Sequence, residues 1–204
     1  MFIDAHSHLD GYKDALKLVL EEIAQHRILT ISNSIDLPSY RRNLELAEMS
    51  EFVMPAFGVH PWKALKYANR LEDLSNALKQ SPILGEIGLD HHFVKDSSQY
   101  PAQGKVFEFF LEAAKEQEKV IILHTTGAEK EVLEMLNSHD IQRVIVHWYS
   151  GPLDVLHELV AKGTYFTIGV EVLYSERMRI IARELPLERL LTETDNPGGH
   201  KWLK

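Results

Sequence analysis

Cysteine is absent from the 204-residue chain. That excludes disulfides and thiolate metal sites, so any metal must sit on His, Asp or Glu. A basic excess is also absent: 22 Lys and Arg stand against 30 Asp and Glu, a formal net charge of −8. The balance argues against broad, non-specific attraction to nucleic acid, although bound divalent ions would reverse the sign locally. No basic segment followed by an apolar run opens the chain, so no signal peptide is read there, and no stretch approaches a membrane span. A cytoplasmic location is the default expectation. No linker, low-complexity tract or charge run divides the sequence, so one domain over residues 1–204 is expected.

What is present is ordinary globular material, 45% hydrophobic and 25% charged. Eight short apolar runs rich in Val, Ile and Phe read as buried parallel strands: Phe2–Ala5, Ile28–Ile31, Phe52–Val59, Pro82–Leu89, Val120–Leu123, Arg143–Val146, Tyr165–Val170 and Leu190–Thr192. Segments of helical spacing separate them. Leu16, Val19, Leu20 and Ile23 share one face of the first, and Leu37, Tyr40, Leu44 and Ala47 one face of the second, with Asp36 as N-cap and Pro38 in the first turn. Leu71, Leu74 and Leu78 mark a third helix. Four more follow around Phe109, Met135, Leu156 and Ile181, and Gly163 ends the sixth. Strict alternation implies a parallel sheet, and eight units imply closure into a (β/α)8 TIM-like barrel. An open doubly wound sheet is the rival, but no Gly-rich phosphate loop follows the first strand. Only seven outer helices can be counted. The groove outside the eighth and first strands is therefore expected to be uncovered. Either the chain is a shortened form, or a partner or second copy covers that groove.

The first strand ends in His6-Ser7-His8. Side chains alternate faces in a strand, so these two imidazoles point the same way. Alone, such a pair is more often structural. Later strand ends repeat the design with His60, Glu86, His124, His147 and Asp195. In a barrel these ends converge on one mouth, where active sites lie. Five histidines and two carboxylates there outline a site for two divalent ions. Imidazole with carboxylate suits zinc, manganese or iron, with magnesium less favoured. His26, His139 and His157 read as surface groups and His200 as part of the tail, while His91 and His92 could face substrate.

Asp4-Ala5-His6-Ser7-His8-Leu9-Asp10, Gly58-Val59-His60-Pro61, Gly85-Glu86-Ile87-Gly88-Leu89-Asp90, His147-Trp148-Tyr149-Ser150-Gly151 and Glu193-Thr194-Asp195-Asn196-Pro197 occur in that order. Together they resemble the motifs of the TatD-related deoxyribonucleases of the amidohydrolase superfamily, over nearly the whole chain. The resemblance implies a metal-dependent phosphodiesterase or deoxyribonuclease. It implies that His6, His8 and Asp195 hold one metal, and that Glu86 bridges to a second held by His124 and His147. It also implies that His60 contacts the phosphate or assists catalysis. Trp148-Tyr149 and His91-His92 depart from the family's usual residues, which leaves substrate preference open. The family usually continues into a further C-terminal helical segment.

The expected chemistry is hydrolysis by a water that the metals acidify, with Asp195 orienting it and taking its proton. Glu86 bridges, and His60 donates a proton or hydrogen bond to developing charge. The expected substrate is DNA, as single strands or ends. Lys63, Lys66 and Arg70, just after the third-strand motif, read either as a solvated helix start or as a phosphate-tracking edge, with Trp62 beside them to stack a base. Two rival readings stand. One is a small-molecule ester, amide or lactone hydrolase on the same barrel; the other is a catalytically silent subunit of an assembly.

Overall fold

The computed structural model describes residues 1–199 of the chain. Eight strands alternate with helices: β1 (Phe2–Ser7), α1 (Leu16–His26), β2 (Ile28–Asn33), α2 (Leu37–Met49), β3 (Val53–Phe57), α3 (Ala64–Tyr67), α4 (Ser75–Gln80), β4 (Ile83–Gly88), α5 (Tyr100–Glu116), β5 (Val120–His124), α6 (Glu129–Ser138), β6 (Val144–Val146), α7 (Leu153–Ala161), β7 (Tyr165–Ile168), α8 (Glu176–Glu184) and β8 (Leu190–Thr192). Parallel ladders run in chain order from β1 through β8, giving a nearly closed (β/α)8 barrel. Asp36 caps α2 as its spacing suggested, accepting from the Ser39 backbone N–H at 3.2 Å. Gly163 follows α7 at φ 85°, the left-handed position that ends a helix.

The seam between β8 and β1 is closed by particular bonds instead of a regular ladder. Asp195 N–H donates to the His6 carbonyl at 2.9 Å, and His8 N–H to the Asn196 carbonyl at 2.7 Å. Buried Asp4 accepts from the Thr194 N–H at 2.9 Å and from its hydroxyl at 2.7 Å. Outside this seam lies a cleft of about 280 Å³ between Phe2, Ile3, Tyr12, Val19, Ile28 and Thr192. Among the described residues no helix follows β8. The expectation about the tail falls partly, and that about His200 wholly, on residues outside those described.

The third outer helix differs from the sequence reading. Leu71 and Leu74 lie in a 3₁₀ turn, only Leu78 lies in α4, and the short α3 precedes them as a separate helix, because Arg70 leaves the helical region at φ −154° and ψ 50°. Phe57, Leu84, Phe107, Phe110, Leu123 and Phe166 are fully buried between strands and helices. Ala5, Ile31, Ala56, Ile122 and Ile145, from five strands, form a second cluster. Ile122 and Ile145 each precede a histidine, His124 and His147, by two residues and so share its face. Apolar packing thus floors the polar mouth. No helix among the described residues is long and apolar enough to cross a membrane.

Candidate metal centre

All the histidines and carboxylates singled out at the strand ends meet at the C-terminal mouth, around Glu86. Two local devices aim them. Register shifts interrupt the ladders between Asp4 and Ser7 in β1 and between Leu84 and Ile87 in β4, bracketing His6 and Glu86. Such irregularities re-aim the side chains they carry. Close backbone approach does the rest. A Cβ on Gly88, which sits at φ 135°, would lie 2.0 Å from the His124 carbonyl oxygen. Only glycine fits there.

The two oxygens of Glu86 face different groups. Its Oε2 lies 3.6 Å from His6 Nε2 and 3.4 Å from His8 Nε2. Both imidazole nitrogens are 3.6 Å from Asp195 Oδ1 and 3.2 Å from each other. The His6, His8 and Asp195 atoms lie close enough together to hold one cation. The other oxygen, Oε1, lies 2.9 Å from His124 Nδ1, 3.5 Å from His60 Nε2 and 3.7 Å from His147 Nε2. His6 and His147 stack at 3.6 Å between the two groups. Two sets of donor atoms sharing one carboxylate are what a pair of cations needs, and these residues could hold one.

Hydrogen bonds on the far side of four rings sort those histidines, while the buried Nδ1 of His6 makes none. His8 Nδ1 lies 3.1 Å from the Asn33 carbonyl oxygen, which can only accept, so Nδ1 carries the proton and Nε2 presents a lone pair. His147 Nδ1 donates to buried Glu193 at 2.7 Å, again leaving Nε2 free. His124 Nε2 donates to buried Asp90 at 3.1 Å, leaving Nδ1 for the site. His60 is the exception. Its Nδ1 accepts from the Trp62 backbone N–H at 3.2 Å, so the neutral ring carries its proton on Nε2, facing inward. Three rings therefore present ligand lone pairs and the fourth presents a donor.

Without an ion the facing carboxylates favour protonated imidazoles at His8, His124 and His147, so an entering cation would displace those protons to reach the lone pairs. Burial pushes the Glu86 carboxyl up, but the facing imidazoles of His60, His6 and His124 outweigh it and hold Glu86 well below the usual carboxylate range. Burial pushes His147 down, yet Glu193 and Glu86 bring it up to about 10. Burial dominates at His60 and lowers it. Burial also raises Asp195. Its side chain is 22% exposed against 3% for Glu86, so Asp195 is the carboxylate that reaches water.

The remaining sequence candidates are spread around the rim. Trp62 is 56% exposed, and its indole N–H donates to Asp90 Oδ2 at 2.6 Å. Lys66 lies 3.7 Å from Asp36, and Arg70 lies 3.7 Å from Asp73, each giving up part of its charge to a neighbour. Lys63 is half-buried beside them. His91 stacks on Tyr100 at 3.7 Å, and His92 is exposed against Phe93. His26 and His157 are exposed and His139 half-buried, all on or beside helices. Sequence reasoning assigned no role to Asp90 or Glu193, although both lie in the quoted motifs. Their spacing was the available signal: Glu193 is two residues before Asp195, and Asp90 four after Glu86.

A nearly closed (β/α)8 barrel with converging imidazoles and carboxylates at its mouth defines a metal-dependent hydrolase. The family model "TatD related DNase" matches residues 3–202, and the chain belongs to that family. It is 30% identical to the metal-dependent hydrolase YabD of Bacillus subtilis, over 97% of this chain and 80% of that protein. It is 31% identical to the metal-dependent hydrolase YjjV of Escherichia coli, over 96% and 79%. The crystal structure of YjjV, described as a TatD homolog, superposes with a TM-score of 0.88 over 97% of this chain and 80% of that one. A TatD family hydrolase from Entamoeba histolytica, 18% identical, shares the fold at a TM-score of 0.82 over 95% and 73%.

Proposed function

We infer that this chain is a two-metal phosphodiesterase of the TatD type whose substrate is DNA, as single strands or ends. The observation that carries the reading is Glu86, whose two oxygens each face a separate set of imidazoles. His6, His8, Asp195 and Glu86 would hold one divalent ion, and Glu86, His124 and His147 the other. Zinc or manganese suits this donor set better than magnesium. Bound there, the ions acidify a water and neutralise phosphoryl oxygens. Asp195, the exposed carboxylate, orients that water and accepts its proton. Buried Glu86 cannot reach solvent and serves as the bridge.

His60 acts as a hydrogen-bond donor. A neutral imidazole whose Nδ1 already accepts a backbone N–H can place its Nε2–H on a phosphoryl or leaving-group oxygen. It cannot surrender that proton, because an imidazolate would result. The two roles considered from sequence therefore reduce to one.

A second reading has its own support. Lys66 and Arg70, the basic edge for a nucleic-acid backbone, pair with Asp36 and Asp73. That pairing favours a small phosphoester or lactone. Hydrolysis of a single-stranded oligonucleotide, a model phosphodiester and a lactone by the zinc- and manganese-loaded protein separates the two. Oligonucleotide cleavage that chelator abolishes is the expected result. Turnover of the lactone alone would replace the reading.

A further inference from the structure

One buried carboxylate near the metal centre holds more than a ligand. Asp90 is fully buried and accepts four hydrogen bonds. Its Oδ2 takes His124 Nε2 at 3.1 Å and the Trp62 indole N–H at 2.6 Å. Its Oδ1 takes the backbone N–H groups of His92 at 2.9 Å and Phe93 at 2.7 Å. The same group thus fixes a metal-site imidazole and two aromatic residues on the rim.

Those two aromatics face solvent. Trp62 and Phe93 are each 56% exposed, with rings 6.1 Å apart and crossed at 77°. A single exposed aromatic needs no explanation. Two exposed rings crossed edge to face, both pinned by one carboxylate, form a rigid corner. The corner adjoins the reacting centre: the Trp62 ring centre is 4.6 Å from that of His60 and 6.4 Å from that of His124. Each ring offers an apolar face.

We propose that Trp62 and Phe93 form a stacking subsite for a planar aromatic group attached beside the scissile bond, namely the nucleobase of the nucleotide being cleaved. Asp90 is the positioning residue that sets this corner against the metal centre. The proposal rests on the phosphodiesterase reading and gives its substrate a feature to be recognised. Base stacking on an aromatic plate tolerates every base, so the subsite confers preference for nucleotides without preference for sequence.

The experiment compares thymidine 5′-(p-nitrophenyl phosphate) with its abasic deoxyribose counterpart on the metal-loaded protein. In parallel, thymidine 5′-monophosphate and deoxyribose 5-phosphate are titrated by calorimetry. The base-bearing compound is expected to be favoured about tenfold or more in kcat/KM and in affinity. Trp62→Leu and Phe93→Leu should each shrink that ratio, Trp62→Leu to within about twofold. The ratio is the readout because losing the indole also frees Asp90 and slows both substrates. Equal hydrolysis of the two compounds by the parent protein overturns the subsite while leaving the phosphodiesterase reading in place. If neither compound is hydrolysed, that reading fails and the titrations decide. A tenfold affinity advantage lost in Trp62→Leu supports the subsite, and equal affinity overturns it.

Discussion

Glu86 is a carboxylate buried among imidazoles, and its charge persists there because the imidazoles face it from two sides. Glu86→Gln keeps the shape and removes the charge. It should lower metal-dependent hydrolysis by roughly three orders of magnitude while leaving the far-ultraviolet circular dichroism unchanged. Near-parental turnover under saturating metal would remove Glu86 from the role of bridge. Glu193 acts one step further out. It fixes the His147 tautomer, so Glu193→Gln should weaken binding of the ion nearest His147 by about 10–100-fold. Competition with a coloured chelator measures this. The side chains that meet at the mouth were legible in the sequence because each ends an apolar run. Asp90 and Glu193 were not, because spacing placed them beside the cluster but could not say which ring nitrogen each would hold.

The elements are held to their positions by a few bonds whose loss can be measured. Asp4 closes the β8–β1 seam through Thr194, where the strands lack a regular ladder. Asp4→Ala leaves the Thr194 N–H and hydroxyl without their charged partner and should cost about 1–3 kcal/mol in urea denaturation of the metal-free protein. A loss below about 0.5 kcal/mol would mean that the other seam bonds suffice. Strand positions were readable from short Val- and Ile-rich runs, and α2 and α7 from the Asp36 cap and Gly163. The 3₁₀ turn at Leu71–Leu74 was not readable, since Leu71, Leu74 and Leu78 keep helical spacing through it into α4. The register shifts in β1 and β4 escaped for a similar reason. A bulge changes how two strands pair, and neither strand's own sequence records it.

At the scale of the whole molecule, six strand ends supply one site, so ligand binding and barrel stability are coupled. Cations that bind only the folded chain stabilise it by about 2.7 kcal/mol at a hundredfold excess over Kd. Removing them with chelator should therefore lower the Tm by about 5 °C or more. An unchanged Tm would mean that the cluster holds no ion under those conditions. The barrel itself was legible from eight alternating units. The chemistry at its mouth was legible only because six different strand ends carry His or carboxylate.

The central claim, that Glu86 is shared between two divalent ions, is tested most directly by anomalous scattering from crystals of the zinc-loaded protein. Two peaks are expected, one on either side of the Glu86 carboxylate. The first should contact His6, His8 and Asp195, and the second His124 and His147, at about 2.0–2.2 Å from the ligand atoms. A single peak, or peaks that leave Glu86 uncoordinated, would contradict it.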